Sequence, residues 1–221
     1  VRSVRAAGMS SNRVKGGLKV SAPLSPSEAA VHRHAQVLDG AHRPLVHPFP
    51  AQHIAEQAQK YNAWILADEI YSRLVYDGME SAPSIASIDG MLDRTVIADG
   101  FSKAYAMTGW RLGYMVAPSA LAERLELLVT HSTGCTAMFT QYAGMEAITG
   151  SQDFVREMVA EYQKRRDRMV ELVNAIPRVH AQKPQGAFYV FPNVKAFELS
   201  SKEIQRRLLD EEGVAVLAGT D

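Results

Sequence analysis

Four side chains that can do chemistry follow two short apolar segments of this sequence. Asp68 and Tyr71 come directly after the first segment, and Lys103 and Arg111 come after the second. A lysine amine can form a Schiff base with an aldehyde, and a carboxylate can keep a ring nitrogen protonated. A phenol can hydrogen-bond a ring oxygen, and an arginine can bind a phosphate through two hydrogen bonds. Together these groups suit a phosphorylated pyridine aldehyde.

Each of these residues also has an ordinary structural explanation. An aspartate at the end of a strand is usually a turn or cap residue, and a lysine or arginine on a loop is usually solvated. The Gly-Trp-Arg segment that ends at Arg111 could be a simple turn. It is therefore the combination of residues, rather than any one of them, that indicates a binding site.

The segments that must position these residues alternate between strand and helix patterns from residue 50 onward, which predicts an α/β protein. Residues 63–67 and 95–98 are continuous apolar runs, as expected of strands buried on both faces, and residues 112–117 form a third candidate. Ligands bind beyond the carboxyl ends of strands in open α/β sheets, so the loops after the first two strands should converge.

Helices are predicted between these strands. Pro50 can begin a helix that runs through Tyr61, and Ser119 can cap a second helix. The predicted inner face of the second helix consists of Leu121, Leu125 and Leu128. Two further helices are predicted over 137–148 and 153–176, the longer one ending at Pro177.

An α+β pattern follows Pro177. Residues 187–191 and 214–217 have strand patterns. Between them, Ser200 and Glu203 form a capping box that predicts the start of a helix. Gly213 predicts its end.

Composition limits the classes of protein to consider. The chain has 221 residues, of which 47% are hydrophobic and 22% charged, as in ordinary globular proteins. A single cysteine, Cys135, excludes an internal disulfide and fits a reducing compartment, so we predict a cytoplasmic protein. No apolar run approaches the ~18 residues of a membrane span.

The first fifty residues differ from the rest. They carry a net charge of +5 against −5 for the remainder, with four of the seven histidines and one aromatic residue. That basic segment lacks the aromatic interleaving typical of nucleic-acid binding, so no nucleic-acid partner is predicted. A metal site could be drawn from the four histidines, His32, His34, His42 and His47, but no acid or cysteine cluster supports one, and we predict none.

From residue 50 to 221 the sequence resembles the class I/II aminotransferases of pyridoxal 5′-phosphate (PLP) fold type I, especially the bacterial and archaeal aspartate and aromatic amino-acid transaminases. The segments that carry the resemblance are ADEIYSRLVYDG (67–78), ADGFSKAYAMTGWRLGYMVAP (98–118), STGCTAMFTQYAGMEAI (132–148), PQGAFYVFP (184–192) and GVAVLAGTD (213–221). The SKAYAMTGWRLGY segment is the most specific of them. The resemblance implies part of a large domain over 50–150, with a mostly parallel sheet and flanking helices. An interdomain helix and part of an α+β small domain would follow over 151–221.

The resemblance also implies roles for individual residues. Lys103 matches the lysine that binds PLP covalently and carries the proton between the substrate Cα and the cofactor. Asp68 matches the partner of the pyridine nitrogen, Tyr71 the residue that bonds the ring oxygen O3′, and Arg111 the phosphate-binding arginine. Phe188 matches an aromatic position on the substrate side, although plain small-domain core is an equally good explanation.

The resemblance also points to the loop before Lys103 for further contacts with the phosphate. Ser102 is a weaker candidate ligand of the phosphate. In many relatives a second serine lies three places before the lysine, but here that place is Gly100, which puts this contact in doubt.

The implied reaction is the transfer of an amino group from an amino acid to a 2-oxo acid. A fold type I lyase of the β-elimination type shares the same core residues and stays an alternative, as does a non-catalytic remnant. A homodimer with residues 132–141 near the subunit contact is implied, against an intrasubunit loop and helix start.

Residues 1–49 do not match the family pattern, and the expected Asn-Pro-x-Gly turn and α-carboxylate-binding arginine are not found. An organellar transit peptide would explain the basic composition of this segment but not the missing half of the large domain. We favour a truncated or frame-shifted reading frame. On this interpretation residues 1–49 are disordered, and the chain is a fragment with impaired activity or none.

Overall fold

A computed structural model describes residues 51–219, together with the backbone of residues 5–7, 36–37 and 48–50. The predicted disorder of residues 1–49 concerns positions that lie almost entirely outside the described residues and stays a prediction. The four histidines considered as metal ligands lie outside them as well.

A mixed five-stranded sheet forms the centre of the described structure. Its spatial order is β1–β5–β4–β3–β2, where the strands are β1 (Arg5–Ala7), β2 (Gln36–Val37), β3 (Ile65–Asp68), β4 (Thr95–Gly100) and β5 (Gly113–Ala117). Strands β2, β3 and β4 are parallel, whereas β5 is antiparallel to both β4 and β1. The three strands predicted over 63–67, 95–98 and 112–117 are thus present as β3, β4 and β5.

The register of β3 and β4 positions the two loops of interest. Asp68, the last residue of β3, is paired with Ala98 of β4. Glu69 then extends the pairing by donating its backbone N–H to the carbonyl oxygen of Ala98 at 2.8 Å. Because the two strands are parallel and end together, the loops that follow them leave from the same edge of the sheet, as predicted.

Strand β3 is buried on one face only, so the prediction of burial on both faces is wrong for it. Ile65 and Ala67 are buried against Ala55 and Ala58 of helix α1 (Pro48–Lys60). The side chain of Leu66 points the opposite way and is 53% exposed. Alternate residues of a strand point to opposite faces, and the described elements cover only the α1 side.

Four more helices follow the sheet strands: α2 (Ser119–Ser132), α3 (Met138–Thr149), α4 (Asp153–Asn174) and α5 (Ser201–Glu212). Two details of α2 differ from the prediction. Ser119 is the first helical residue, and the cap position is Pro118, which makes no side-chain cap bond. Leu128 is 61% exposed and so does not belong to the inner face, contrary to the prediction from the leucine spacing. The inner face includes the buried Ala122 instead.

The region after α4 has less strand than predicted. Only β6 (His180–Ala181) and β7 (Pro192–Asn193) pair, in an antiparallel fashion. The strand predicted over 187–191 is wrong because Ala187 has a left-handed backbone, with φ 55°, that interrupts an extended chain. The strand predicted over 214–217 is also wrong, because this segment has no neighbouring strand to pair with in the described part of the chain.

Helix α5 has the ends that the sequence predicted. The Ser200 hydroxyl accepts a hydrogen bond from the Glu203 backbone N–H at 3.2 Å. At the other end, Gly213 adopts the left-handed conformation, with φ 67°, that favours glycine after a helix. The capping box is half formed, since the Glu203 carboxylate bonds Arg206 and Arg207 instead of reaching back to the cap.

A buried arginine joins α4 to the loop that follows β3. The side chain of Arg166 is 3% exposed, and its guanidinium donates two hydrogen bonds to the Asp77 carboxylate at 2.8 and 2.9 Å. It also bonds Asp167 and the carbonyl oxygen of Pro184, each at 2.9 Å, and lies 4.6 Å from the centre of the Tyr76 ring. We call this set of contacts the Arg166 clamp.

Within the described residues, no helix is long and apolar enough to cross a membrane.

Candidate active site

Lys103 lies in the turn that follows β4, with its side chain half-buried. Its Nζ atom is 5.9 Å from the centre of the Tyr71 ring and 5.6 Å from the centre of the Phe188 ring. These distances are typical of an ammonium group over aromatic faces. The structure therefore brings together three residues that the sequence selected from segments far apart in the chain.

Tyr71 belongs to an aromatic cluster formed by Tyr71, Tyr162, Phe188 and Tyr189, in which Phe188 contacts the other three rings. The Tyr71 ring packs edge-to-face on Phe188, with centroids 5.2 Å apart, and the Tyr162 ring lies 5.7 Å from Phe188 on another side. The hydroxyl groups of Tyr71 and Tyr189 are 2.8 Å apart and share a hydrogen bond. The Tyr71 hydroxyl is thus held in place by a residue from the far end of the chain.

Asp68 lies at the carboxyl end of β3 and is exposed. One carboxylate oxygen accepts a hydrogen bond from the backbone N–H of Ile70 at 3.3 Å, which is the bond of an aspartate that starts a turn. This bond uses one carboxylate oxygen, so the exposed side chain can start the turn and still accept a hydrogen bond from a ligand.

Arg111 lies apart from the aromatic cluster. It has a left-handed backbone, with φ 52°, at the end of the short 3-10 helix Thr108–Trp110, and its guanidinium donates to the Thr108 carbonyl oxygen at 3.0 Å. The same residue lines an open cleft of about 860 Å³ whose opposite wall comes from residues 133–137 and the start of α3. No contact in the described part of the chain joins the Arg111 and Lys103 side chains.

Gly100 and Ser102 differ in what the structure allows them to do. A Cβ atom on Gly100 would lie 2.9 Å from the Leu112 carbonyl oxygen and 3.1 Å from the Gly113 Cα, so the close approach of β4 and β5 requires glycine here. A serine at this position would have to displace backbone. Ser102 is half-buried in the loop between Gly100 and Lys103.

Sequence reasoning missed a second acid at the same edge, Asp99. Its carboxylate accepts hydrogen bonds from the Tyr114 hydroxyl at 2.9 Å, the Ser72 hydroxyl at 3.5 Å and the Gly100 backbone N–H at 2.6 Å. Burial raises the pKa of Asp99 above the ordinary carboxyl value, and these donors together with the charge of Arg73 oppose the shift. A charged residue near the end of an apolar strand was the available signal.

Glu69 is the other half-buried acid beside Asp68. The Ser84 hydroxyl donates to its carboxylate at 2.5 Å. Burial raises the pKa of Glu69, the Ser84 bond lowers it, and the nearby charge of Asp99 raises it further. Two acids with raised pKa therefore flank the turn that carries Tyr71, a pattern common at functional sites.

The residue types at this edge fit the cofactor that the sequence indicated. A half-buried primary amine, an exposed carboxylate and a phenol lie on loops that leave one edge of the sheet. The exposed Arg111 guanidinium, beside an open cleft, uses one donor on Thr108 and has donors left for an anion.

Comparison with known proteins gives the family. The family model for aminotransferase class I and II matches residues 41–221. Aromatic-amino-acid aminotransferase 2 of Thermococcus litoralis is 40% identical over 173 residues, which is 76% of this chain and 43% of that protein. The aspartate aminotransferase of Pyrococcus abyssi is 39% identical over the same length, again covering 76% of this chain and 43% of that protein. The chain belongs to the class I and II aminotransferase family.

Solved structures agree with this assignment. The aromatic aminotransferase of Pyrococcus horikoshii superimposes with a TM-score of 0.75 at 36% identity, covering 80% of this chain and 48% of that one. The aspartate aminotransferase of Rhizobium meliloti gives a TM-score of 0.72 at 31% identity, covering 80% and 46%. The predicted α/β fold, as part of the family fold, is confirmed. The chain spans about half the length of the relatives it matches.

Proposed function

We propose that this chain carries the PLP-binding residues of an aminotransferase that moves an amino group from an amino acid to a 2-oxo acid. The observation that carries the proposal is the position of the Lys103 amine, which lies over the faces of Tyr71 and Phe188 at the edge where the loops after β3 and β4 meet. Membership of the aminotransferase family supports it.

Five residues would hold the cofactor and one would face the substrate. Asp68 would bind the pyridine nitrogen, Tyr71 the ring oxygen, and Arg111 and Ser102 the phosphate. Lys103 would bind the cofactor's aldehyde carbon, and Phe188 would line the substrate side. When bound, PLP supplies an electron-withdrawing ring that stabilises negative charge at the substrate Cα.

The chain's own residues have defined tasks in this proposal. The Lys103 amine would hold the cofactor through its aldehyde carbon, and it would hold the proton removed from the substrate Cα. The Tyr71 hydroxyl is bonded to Tyr189, so contact with a ring oxygen requires this hydroxyl to share or exchange its partner. Phe188 places an apolar ring 5.6 Å from the amine on one side.

The cytoplasmic homodimer of the sequence analysis belongs to the same proposal. Residues 132–141 were expected near the subunit contact. Met138 and Phe139, at the start of α3, are 70% and 71% exposed. Exposed large apolar side chains beside a functional cleft favour a protein interface over a solvated loop.

The test uses the chain as it is, mixed with PLP. We expect a visible absorbance band and, after borohydride reduction and peptide mapping, a covalent label on Lys103. Lys103→Ala should lose the band, whereas Lys202→Ala, at an exposed position on α5, should keep it. Label scattered over surface lysines, with no stable band, would refute PLP binding.

Activity is measured separately on the same sample. Oxo-acid-dependent appearance of a new amino acid would support amino transfer. Release of pyruvate and ammonia without an oxo acid would instead show a β-elimination lyase. A Lys103-labelled chain with neither activity would be a non-catalytic member of the family and would contradict the proposed reaction.

A further inference from the structure

One carboxylate, that of Asp99 on β4, joins its own strand to two other elements of the candidate site. Asp99 lies on β4 directly opposite Tyr114 of β5, whose hydroxyl it binds at 2.9 Å. It also binds the hydroxyl of Ser72, the residue that follows Tyr71, and the backbone N–H of Gly100, with which the Lys103 loop begins.

The turn that carries Tyr71 has few other attachments to β4. Inside the turn, the Ser72 N–H donates to the Glu69 carbonyl oxygen at 2.8 Å, and the Leu74 N–H donates to the Tyr71 carbonyl oxygen at 2.9 Å. These bonds fix the shape of the turn but not its position. Among the described residues, the hydrogen bonds from the turn to β4 are the Glu69 N–H to Ala98 bond and the bond from Ser72 to the Asp99 carboxylate, and the Ile70 side chain lies beside Gly100.

Burying the Asp99 carboxylate at this position carries a desolvation cost. Burial raises its pKa, and burial together with the adjacent Asp99 charge raises the pKa of the Tyr114 phenol. The charge of Arg73 lowers the pKa of Asp99, and the charge of Asp99 in turn raises the pKa of Glu69. An apolar side chain would avoid the desolvation cost, so the acid is better explained by the specific geometry it imposes.

We propose that Asp99 is a positioning residue that fixes the turn carrying Tyr71 relative to the strand leading to Lys103. The proposal rests on the proposed function of Tyr71 and Lys103. Asp99 makes no hydrogen bond to the Tyr71 ring or the Lys103 amine among the described residues. It acts through Ser72 on one side and through Gly100 on the other.

Two substitutions of Asp99 separate its hydrogen bonds from its charge. Asp99→Asn keeps a carbonyl oxygen that can accept from Tyr114 and Ser72, and loses the bond from the Gly100 N–H. Asp99→Ala loses all three bonds. Ile97→Ala, on the same strand, removes apolar packing without touching this network and serves as the matched control.

The first measurement is amide hydrogen exchange over residues 69–74 in the chain without cofactor. Asp99→Ala should exchange about tenfold faster there, the size of effect that loss of charge-assisted hydrogen bonds produces. Asp99→Asn should stay within about threefold of the wild type, because its acceptor is retained. Should Asp99→Ala fail to fold, Ser72→Ala removes the turn's link alone and should also accelerate exchange. Unchanged exchange in the folded variants, or equal acceleration by Ile97→Ala, would overturn the proposal.

The second measurement is the dissociation constant for PLP, with the extent of borohydride labelling at Lys103. Asp99→Ala should bind PLP about tenfold more weakly than Ile97→Ala, and Asp99→Asn should largely restore binding. A wild-type chain that takes no label at Lys103 would refute the proposed function, and the exchange result would still decide the role of Asp99. Equal PLP binding by Asp99→Ala and Ile97→Ala would overturn the positioning role.

Discussion

Replacing Arg166 with methionine should remove a large part of the attachment between α4 and the loop after β3. The guanidinium makes two hydrogen bonds to Asp77, one to Asp167 and one to the Pro184 carbonyl oxygen. Removing one partner of a buried ion pair costs about 3–5 kcal/mol when the other charge stays buried. Here the carboxylates left behind, those of Asp77 and Asp167, are 49% and 44% exposed and can be hydrated instead. We therefore expect a loss of about 2–3 kcal/mol, equal to one or two charge-assisted hydrogen bonds.

Urea denaturation followed by circular dichroism measures this loss as a change in the free energy of unfolding. The difference between the wild type and Arg166→Met should also depend on pH. Hydrogen bonds from Arg166 lower the pKa of Asp77. The pKa of Asp167 is lowered by a hydrogen bond from Lys183 and, to a smaller extent, by one from Arg166. Because both folded-state pKa values lie below the ordinary value of 3.8, the stabilisation is fully present above that pH. It should disappear as the pH falls through the lowered values.

The neighbouring residue provides the control. Arg165 is exposed and forms an ion pair with Glu161 one turn earlier in α4, so Arg165→Met should cost about 0.5 kcal/mol or less. Equal losses for the two variants, or a loss for Arg166→Met that grows as the pH falls below 3.8, would show that the Arg166 clamp does not stabilise the fold through its bonds to the two carboxylates.

Two other substitutions test the interior of the fold. A Cβ atom on Gly144 would lie 2.4 Å from Leu112 Cδ2 and 3.3 Å from the Phe101 ring. Gly144→Ala should therefore lower the unfolding free energy by about 1–3 kcal/mol in thermal melts. Gly109→Ala, where a Cβ atom meets open space, is the control and should change it by less than about 0.5 kcal/mol. The buried Thr95 hydroxyl has no hydrogen-bond partner among the described residues, so Thr95→Val should raise the unfolding free energy by about 1 kcal/mol in urea denaturation, and a decrease would refute that account.

Much of the fold could be predicted from the sequence because its determinants are local. The apolar runs of β3 and β4, the long α4 and the Ser200 and Gly213 ends of α5 depend on spacing and capping within a few residues. The convergence of Tyr71 and Lys103 was also predictable, since parallel strands that end together place their following loops at one edge.

What the sequence could not predict depends on neighbours. Residues 214–217 have a strand pattern, but a strand forms only where a partner strand lies beside it. Leu66 has the same apolar character as Ile65, and only the position of α1 decides which of the two is buried. Asp99 was overlooked because its partners Ser72 and Tyr114 come from other elements and are not adjacent to it in sequence.

The hydrogen bond between Tyr71 and Tyr189 has a consequence for how the site is assembled. The two residues are 118 positions apart, so the length-dependent part of the entropy cost of joining them is about 4 kcal/mol. One hydrogen bond returns about 1 kcal/mol. Once the contacts of Arg166 with Asp77 and Pro184 are made, the remaining loop is about a dozen residues and the cost falls to about 2 kcal/mol. The Arg166 clamp and the aromatic cluster around Lys103 therefore assist each other, because each contact shortens the loop that the other has to close. A chain without the clamp closes the Tyr71–Tyr189 contact against nearly twice the length-dependent entropy cost.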